Sequence, residues 1–216
     1  MKDPSSKLLS ICSNGIAKPF DDDFDLFPFE FLSYFPEYIS VLRKCNGFYG
    51  FKSALHVFPL ISKENCLDVL EWNDNKLWRD SYDGMTEDHF FFAEDAFGSQ
   101  FSIKKDGIFT FDPETGESQK LCDSLSQWCE AILNDCDFLT GHSLMHEWQA
   151  RNGRVKEGYR LIPVIPFVFG GDFSVKNLRM QNSVTAMRYR GSIAVQIRNL
   201  PDGGTVKLDV DNSNPA

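Results

Sequence analysis

The chain has 216 residues, a length that fits one domain, or one domain with an extension. Apolar residues at 42% are enough for a buried core and exclude a mainly disordered chain, and no run of about 18 apolar residues is present to form a membrane-spanning helix. The formal charge of -9 is unevenly spread: net -4 over 1–40, +3 over 41–61, -13 over 62–147 and +5 over 148–216. An acidic middle disfavours direct nucleic-acid binding, because phosphates need a basic face. It suits complementary charges within one fold, a solvated surface, or capture of a basic partner.

Residues 1–26 lack a clear period and contain Asp21-Asp22-Asp23-Phe24-Asp25, which predicts a loosely packed N-terminal arm. The first helix is predicted from Pro36, a residue suited to a first turn. Its apolar stripe is Tyr38, Val41, Leu42 and Cys45, and Asn46-Gly47 supplies the stop. Phe48 to Phe51 and Ala54 to Phe58 read as short strands, and a helix is expected after Ser62 as N-cap, running towards Trp72. The centre reads as an antiparallel meander. Phe90 to Phe92, Gln100 to Ile103, Ile108 to Phe111 and Ser118 to Leu121 are its strands, with turns at Lys105-Asp106-Gly107 and Asp112 to Gly116. Ser124 then caps a helix with Leu125, Trp128, Cys129, Ile132 and Leu133 on one face. A further helix is predicted over 138–151, through Phe138, His142, Met145 and Trp148, ending at Asn152-Gly153. Beyond it, Leu161 to Phe167 must be extended because of its paired prolines, and Gly170-Gly171 breaks the run. Val184 to Met187, Ser192 to Arg198 and Thr205 to Val210 read as strands, the last two joined by a turn at Pro201 to Gly204. The expected class is α+β: an arm at 1–26, a core at 27–153 and a β-rich C-terminal extension at 154–216 packed on that core.

Six cysteines are widely spaced without a Cys-x-x-Cys pair, so free thiols in a reducing compartment are expected, with Cys45 and Cys129 buried. Lys2 and Lys7 precede only a brief apolar stretch, Leu8 to Cys12, too short for a signal core; a cytoplasmic N-terminus is expected.

Catalytic and metal motifs fail one by one. His142 and His146 share a helix face near Cys136, but Glu147 follows the second histidine, whereas a zinc protease needs Glu directly after the first. Asp21, Asp23 and Asp25 alternate like a calcium loop, yet Leu26 stands where glycine is wanted and Leu32 where a bidentate Glu is needed. Gly141-His142-Ser143-Leu144-Met145 lacks the second glycine of a nucleophile elbow. No cofactor is expected, and a binding protein is favoured over an enzyme. Trp72 and Trp78, among acids that include Asp80, Asp83, Glu87, Asp88, Glu94 and Asp95, are the candidate interface: aromatic anchors ringed by carboxylates for a basic partner. The competing expectation for either tryptophan is a place in the core.

Pro36-Glu37-Tyr38 through Leu42 to Asn46-Gly47 resembles the first helix and stop of the SUKH superfamily. Phe92 to Gly98, Phe111 to Glu117 and the Trp128 helix follow in that family's order, so the resemblance covers roughly 30–150. It implies an α+β fold and a non-enzymatic role: an immunity protein that binds and neutralises a toxin domain, such as a basic nuclease or deaminase, in the cytoplasm. A regulatory adaptor for a cell-wall or signalling protein, and a small-ligand binder or enzyme, stand as alternatives.

Overall fold

The computed structural model describes residues 3–20, 36–60, 66–201 and 205. The calcium-like run at Asp21 to Leu32, the expected cap Ser62 and all but Thr205 of the strand expected over 205–210 lie outside the described residues.

Helix α2 (Pro36–Lys44) buries Tyr38, Ile39, Val41 and Leu42. It is followed by Gly47 in the left-handed region (φ 68°), where a Cβ would stand 2.7 Å from the Pro59 backbone nitrogen. Asn46 locks this corner: its side chain accepts from Leu60 N at 2.8 Å and donates to Lys18 O at 2.8 Å. From there the chain runs as a meander of six antiparallel strands in sequence order. They are β1 (Phe48–Gly50), β2 (Leu55–Val57), β3 (Phe90–Glu94), β4 (Gln100–Lys104), β5 (Gly107–Phe111) and β6 (Ser118–Cys122).

One face of this sheet is closed by α2 and α4 (Leu125–Asn134), with Trp128 packed edge-on against Phe92 and Phe101, and Tyr38 against Phe90 and Phe92. Ser124 caps α4 as the sequence predicts, its hydroxyl accepting from Gln127 N. Residues 3–20 of the N-terminal arm are packed on the core where loose packing is expected. Helix α1 (Pro4–Leu9) lies on α4 and buries Leu8, and Ser13 N donates to Tyr49 O at 2.8 Å.

The opposite face is covered by the 66–88 segment and the C-terminal part. The helix expected from Ser62 is a single turn, α3 (Val69–Trp72), opened instead by Asp68 and Glu71 as a reciprocal capping box. The helix expected over 138–151 is two: α5 (Cys136–Thr140) and α6 (His142–Asn152), parted by left-handed Gly141, where a Cβ would strike the Phe97 ring at 2.3 Å. Phe138, which one continuous helix would set in line with Met145 and Trp148, is 83% exposed.

Among its described residues the C-terminal part is less β-rich than its sequence suggests. β7 (Tyr159–Pro163) and β8 (Leu178–Asn182) form a two-stranded ribbon, tied to the end of β3 by Leu161 N to Ala96 O at 3.0 Å. Val184 to Met187 and Ser192 to Arg198, expected as strands, are both within helix α7 (Ser183–Arg198), capped by Asn182. Its buried residues are Ser183, Ala186, Met187, Arg190, Gly191, Ile193 and Ala194, helical in spacing but, apart from Met187 and Ile193, small or polar in type. Gly191 lets α7 approach closely, since a Cβ there would meet Ser81 and Tyr82 at 2.9 Å. All six cysteines are free; Cys129 is buried as expected, while Cys45 is only partly so. None of the helices among the described residues is long and apolar enough to cross a membrane.

Candidate functional site

The eight residues singled out in the sequence separate into three groups. Trp72 and Trp78 are core residues, each 0% exposed, with indole nitrogens satisfied by Gln100 Oε1 and Trp72 O at 2.8 Å. They are not surface anchors. Their rings continue a buried aromatic chain from Phe58 through Trp72 and Trp78 to Phe91 and Tyr82. The acids that flank them in sequence are forced outward because the tryptophans point in.

Glu94 and Asp95 are also buried, at 2% and 9% exposure, so neither belongs to a surface. Glu94 is placed by register. His56, Glu94 and Gln100 are direct cross-strand partners on β2, β3 and β4, and Tyr49 of β1 extends the row. His56 Nδ1 lies 3.0 Å from Glu94 Oε1, and the Tyr49 ring stacks on His56 at 4.5 Å. Arg160 enters from β7, its Nε 2.9 Å from the same oxygen as an ion pair without hydrogen-bond alignment. Burial alone would raise the Glu94 carboxyl, but Arg160 and the His56 hydrogen bond hold it below the usual range. Burial lowers the His56 imidazole, with Glu94 only partly opposing it. The row therefore holds an ionised Glu94–Arg160 pair beside a neutral histidine. His56 Nε2 and Arg160 Nη2 have no partner among the described residues.

Such a Glu–His pair orients a general base in many hydrolases, but a base needs a nucleophile. Burial pushes the Cys66 thiol up to about 11, away from thiolate. Asp95 accepts from Phe97 N and Ser99 N at 2.8 Å, and burial raises its carboxyl to about 7.

Asp80, Asp83, Glu87 and Asp88 form the third group, and all four are exposed. They sit on the loop between α3 and β3, which is held from below at several points. Arg79 donates to Asn73 O at 3.0 Å and to Thr86 O at 2.5 Å, and Tyr82 donates to Pro113 O at 3.0 Å. Helix α7 adds Arg188, whose guanidinium donates to Leu77 O and Lys76 O at 2.6 Å, and Arg198, which pairs with Asp83. Part of the basic C-terminal charge is thus spent on the acidic middle of the same fold. Asp80, Glu87 and Asp88 take no part in an ion pair among the described residues. Asp83 and Asp88 occupy the left-handed region (φ 47° and 62°), a conformation that Asp tolerates better than most residues.

The metal candidates do not converge. Among the described residues no group of three or more His, Cys, Asp and Glu could hold a metal ion. His142 Nδ1 faces Phe51 O at 3.0 Å, and His146 Nε2 faces Lys52 Nζ at 2.5 Å.

The chain is similar to a solved structure, Atu4351 from Agrobacterium tumefaciens, with a TM-score of 0.60 and 11% identity over 89% of each chain. At that identity the likeness concerns the fold alone, and its coverage reaches beyond residues 27–153. No family model and no curated protein matches the chain.

Proposed function

We propose that this protein is a non-enzymatic binder that captures a basic protein partner through the acidic loop between α3 and β3, the partner being a toxin domain as the SUKH resemblance implies. The observation that carries this reading is the exposure of Asp80, Glu87 and Asp88 on a loop pinned by Arg79, Tyr82 and Arg188. A loop fixed before encounter loses little conformational freedom on binding, and unpaired carboxylates on it steer a cationic partner. The α+β fold with a six-stranded antiparallel meander agrees with the resemblance. The raised Cys66 thiol beside the buried ionic row is also in keeping with binding rather than catalysis.

The test is co-expression with a basic nuclease or deaminase toxin domain encoded beside this chain, scored by survival and co-purification across a salt series. Rescue with a salt-sensitive complex is expected. Asp80→Lys with Glu87→Lys, and Asp88→Asn to respect its backbone, should weaken the complex by at least about tenfold. Wild-type binding by that triple variant would remove the loop from the interface. No rescue and no complex would remove the toxin.

A further inference from the structure

Among the described residues, the turn between β1 and β2 has the most unusual backbone. Phe51, Lys52 and Ser53 are consecutive non-glycine residues in the left-handed region, at φ 49°, 56° and 75°. L residues visit this region singly, not in series. Such a turn persists only where its surroundings hold it. Here one face of α6 does so through three contacts: His142 Nδ1 to Phe51 O at 3.0 Å, Gln149 Nε2 to Lys52 O at 2.9 Å, and Lys52 Nζ to His146 Nε2 at 2.5 Å.

The two histidines differ in what a second ring proton would do. A carbonyl only accepts, so His142 Nδ1 carries its proton already, and protonating the other nitrogen leaves that bond in place. The Lys52 ammonium only donates, so His146 Nε2 must be the unprotonated acceptor. A proton on that nitrogen removes the acceptor and sets two cations against each other.

We propose that the 51–53 turn is an acid-released latch, closed on α6 while His146 is neutral and opened when His146 takes its second proton. The charged groups nearby do not replace that acceptor. On α6, Glu147 is engaged by Arg151. On α5, Asp137 accepts from Ser143 N at 2.7 Å, and the histidine whose charge acts on it is His142. Just after β3, Asp95 titrates in the same range, but its Oδ1 is bonded to Phe97 N and Ser99 N. Of the remaining histidines, His89 is held down at about 4, and His56 is lowered too, by burial in both cases. Opening would free the Lys52 side chain and loosen the β1–β2 end of the sheet, since Phe51 packs against both apolar clusters of the protein.

Amide hydrogen exchange of residues 50–54, corrected for intrinsic rates, tests this between about pH 7.5 and pH 5.5, the interval in which imidazoles charge. On acidification the wild-type chain should lose roughly tenfold protection there relative to the rest of the sheet, whose protection should not fall. His146→Gln offers Lys52 an acceptor that does not titrate, and should stay closed at both pH values. His146→Lys should be open at both. Equal wild-type protection at the two pH values would overturn the latch. So would a drop that survives in His146→Gln, which would point to His142 or Asp95, or a loss of protection spread over the whole chain.

Discussion

Two faces of one sheet are built by opposite means. Under α2 and α4 the face is hydrocarbon and aromatic: Tyr38, Phe92, Phe101 and Trp128 meet edge to face, with ring centroids 5.0–5.5 Å apart. Under α3 and α7 it carries His56, Glu94, Gln100, Ser102 and His89, all buried, threaded between Trp72, Trp78, Tyr82 and Phe111. The first face tolerates other apolar groups of suitable shape. The second is held by partners that must all be present, because a buried polar group is costly once its mate is gone. His89 shows the pattern at small scale: its Nδ1 meets Ser102 Oγ at 2.7 Å, and its ring stacks on Phe91 at 5.2 Å.

The largest effect should come from breaking the ionic row. Glu94→Ala leaves Arg160 buried without its counter-charge, and a destabilisation of about 3–5 kcal/mol is expected in urea unfolding. Replacing both members, Glu94→Leu with Arg160→Met, should recover most of that loss, since an apolar pair of similar volume has no charge to desolvate. A double-variant loss equal to the sum of the separate Glu94→Leu and Arg160→Met losses would show that the two residues act independently, and that the polar face is not a coupled unit.

A difference in pH response separates the two faces next. Asp95, at the end of the polar face, has its folded carboxyl raised to about 7 from an ordinary value near 4. A raised carboxyl favours the folded state while protonated. Its contribution is therefore complete below the unfolded value and is lost as pH rises from about 4 through about 7. Asp95→Asn can still accept from Phe97 N and Ser99 N but does not titrate. Between about pH 5 and pH 8 the wild-type chain should lose stability relative to the Asn variant, by up to a few kcal/mol. Parallel urea midpoints across that range would sink the assignment.

The dry face was legible in the sequence because its residues announce themselves. Leu125, Trp128, Cys129 and Ile132 recur at helical spacing behind a serine cap, and the turns at 105–107 and 112–116 separate strands that fold as they read. The polar face was not legible, since His56, Glu94, Asp95, Gln100 and Arg160 are residue types that usually face water. Only the register of β2, β3 and β4, together with β7 arriving from beyond residue 153, brings them into contact. Helix α7 is hidden for a related reason: Met187 and Ile193 are the large apolar residues it buries among Ser, Ala, Arg and Gly, too few to mark a helical period, while Val184, Val195 and Ile197 suggest strand. Of the candidate site, the outward position of Asp80, Asp83, Glu87 and Asp88 followed from local charge. The burial of Trp72, Trp78, Glu94 and Asp95 required the tertiary fold.

The smallest expected effect is the sharpest comparison, because it involves the same chemical group a few residues away. Asp80→Asn and Glu87→Gln remove carboxylates that are exposed and outside any ion pair among the described residues. Each should change stability by less than about 0.5 kcal/mol, against the several kcal/mol at Glu94. Relief of repulsion within the acidic loop could even make the sign favourable, which urea midpoints at low and high salt would reveal: a gain that fades with salt is electrostatic. A loss of a kcal/mol or more at either position would mean that these acids support the fold as Glu94 does. The contrast between buried and exposed carboxylates would then collapse, and with it the argument that the loop keeps its charge for a partner rather than for itself.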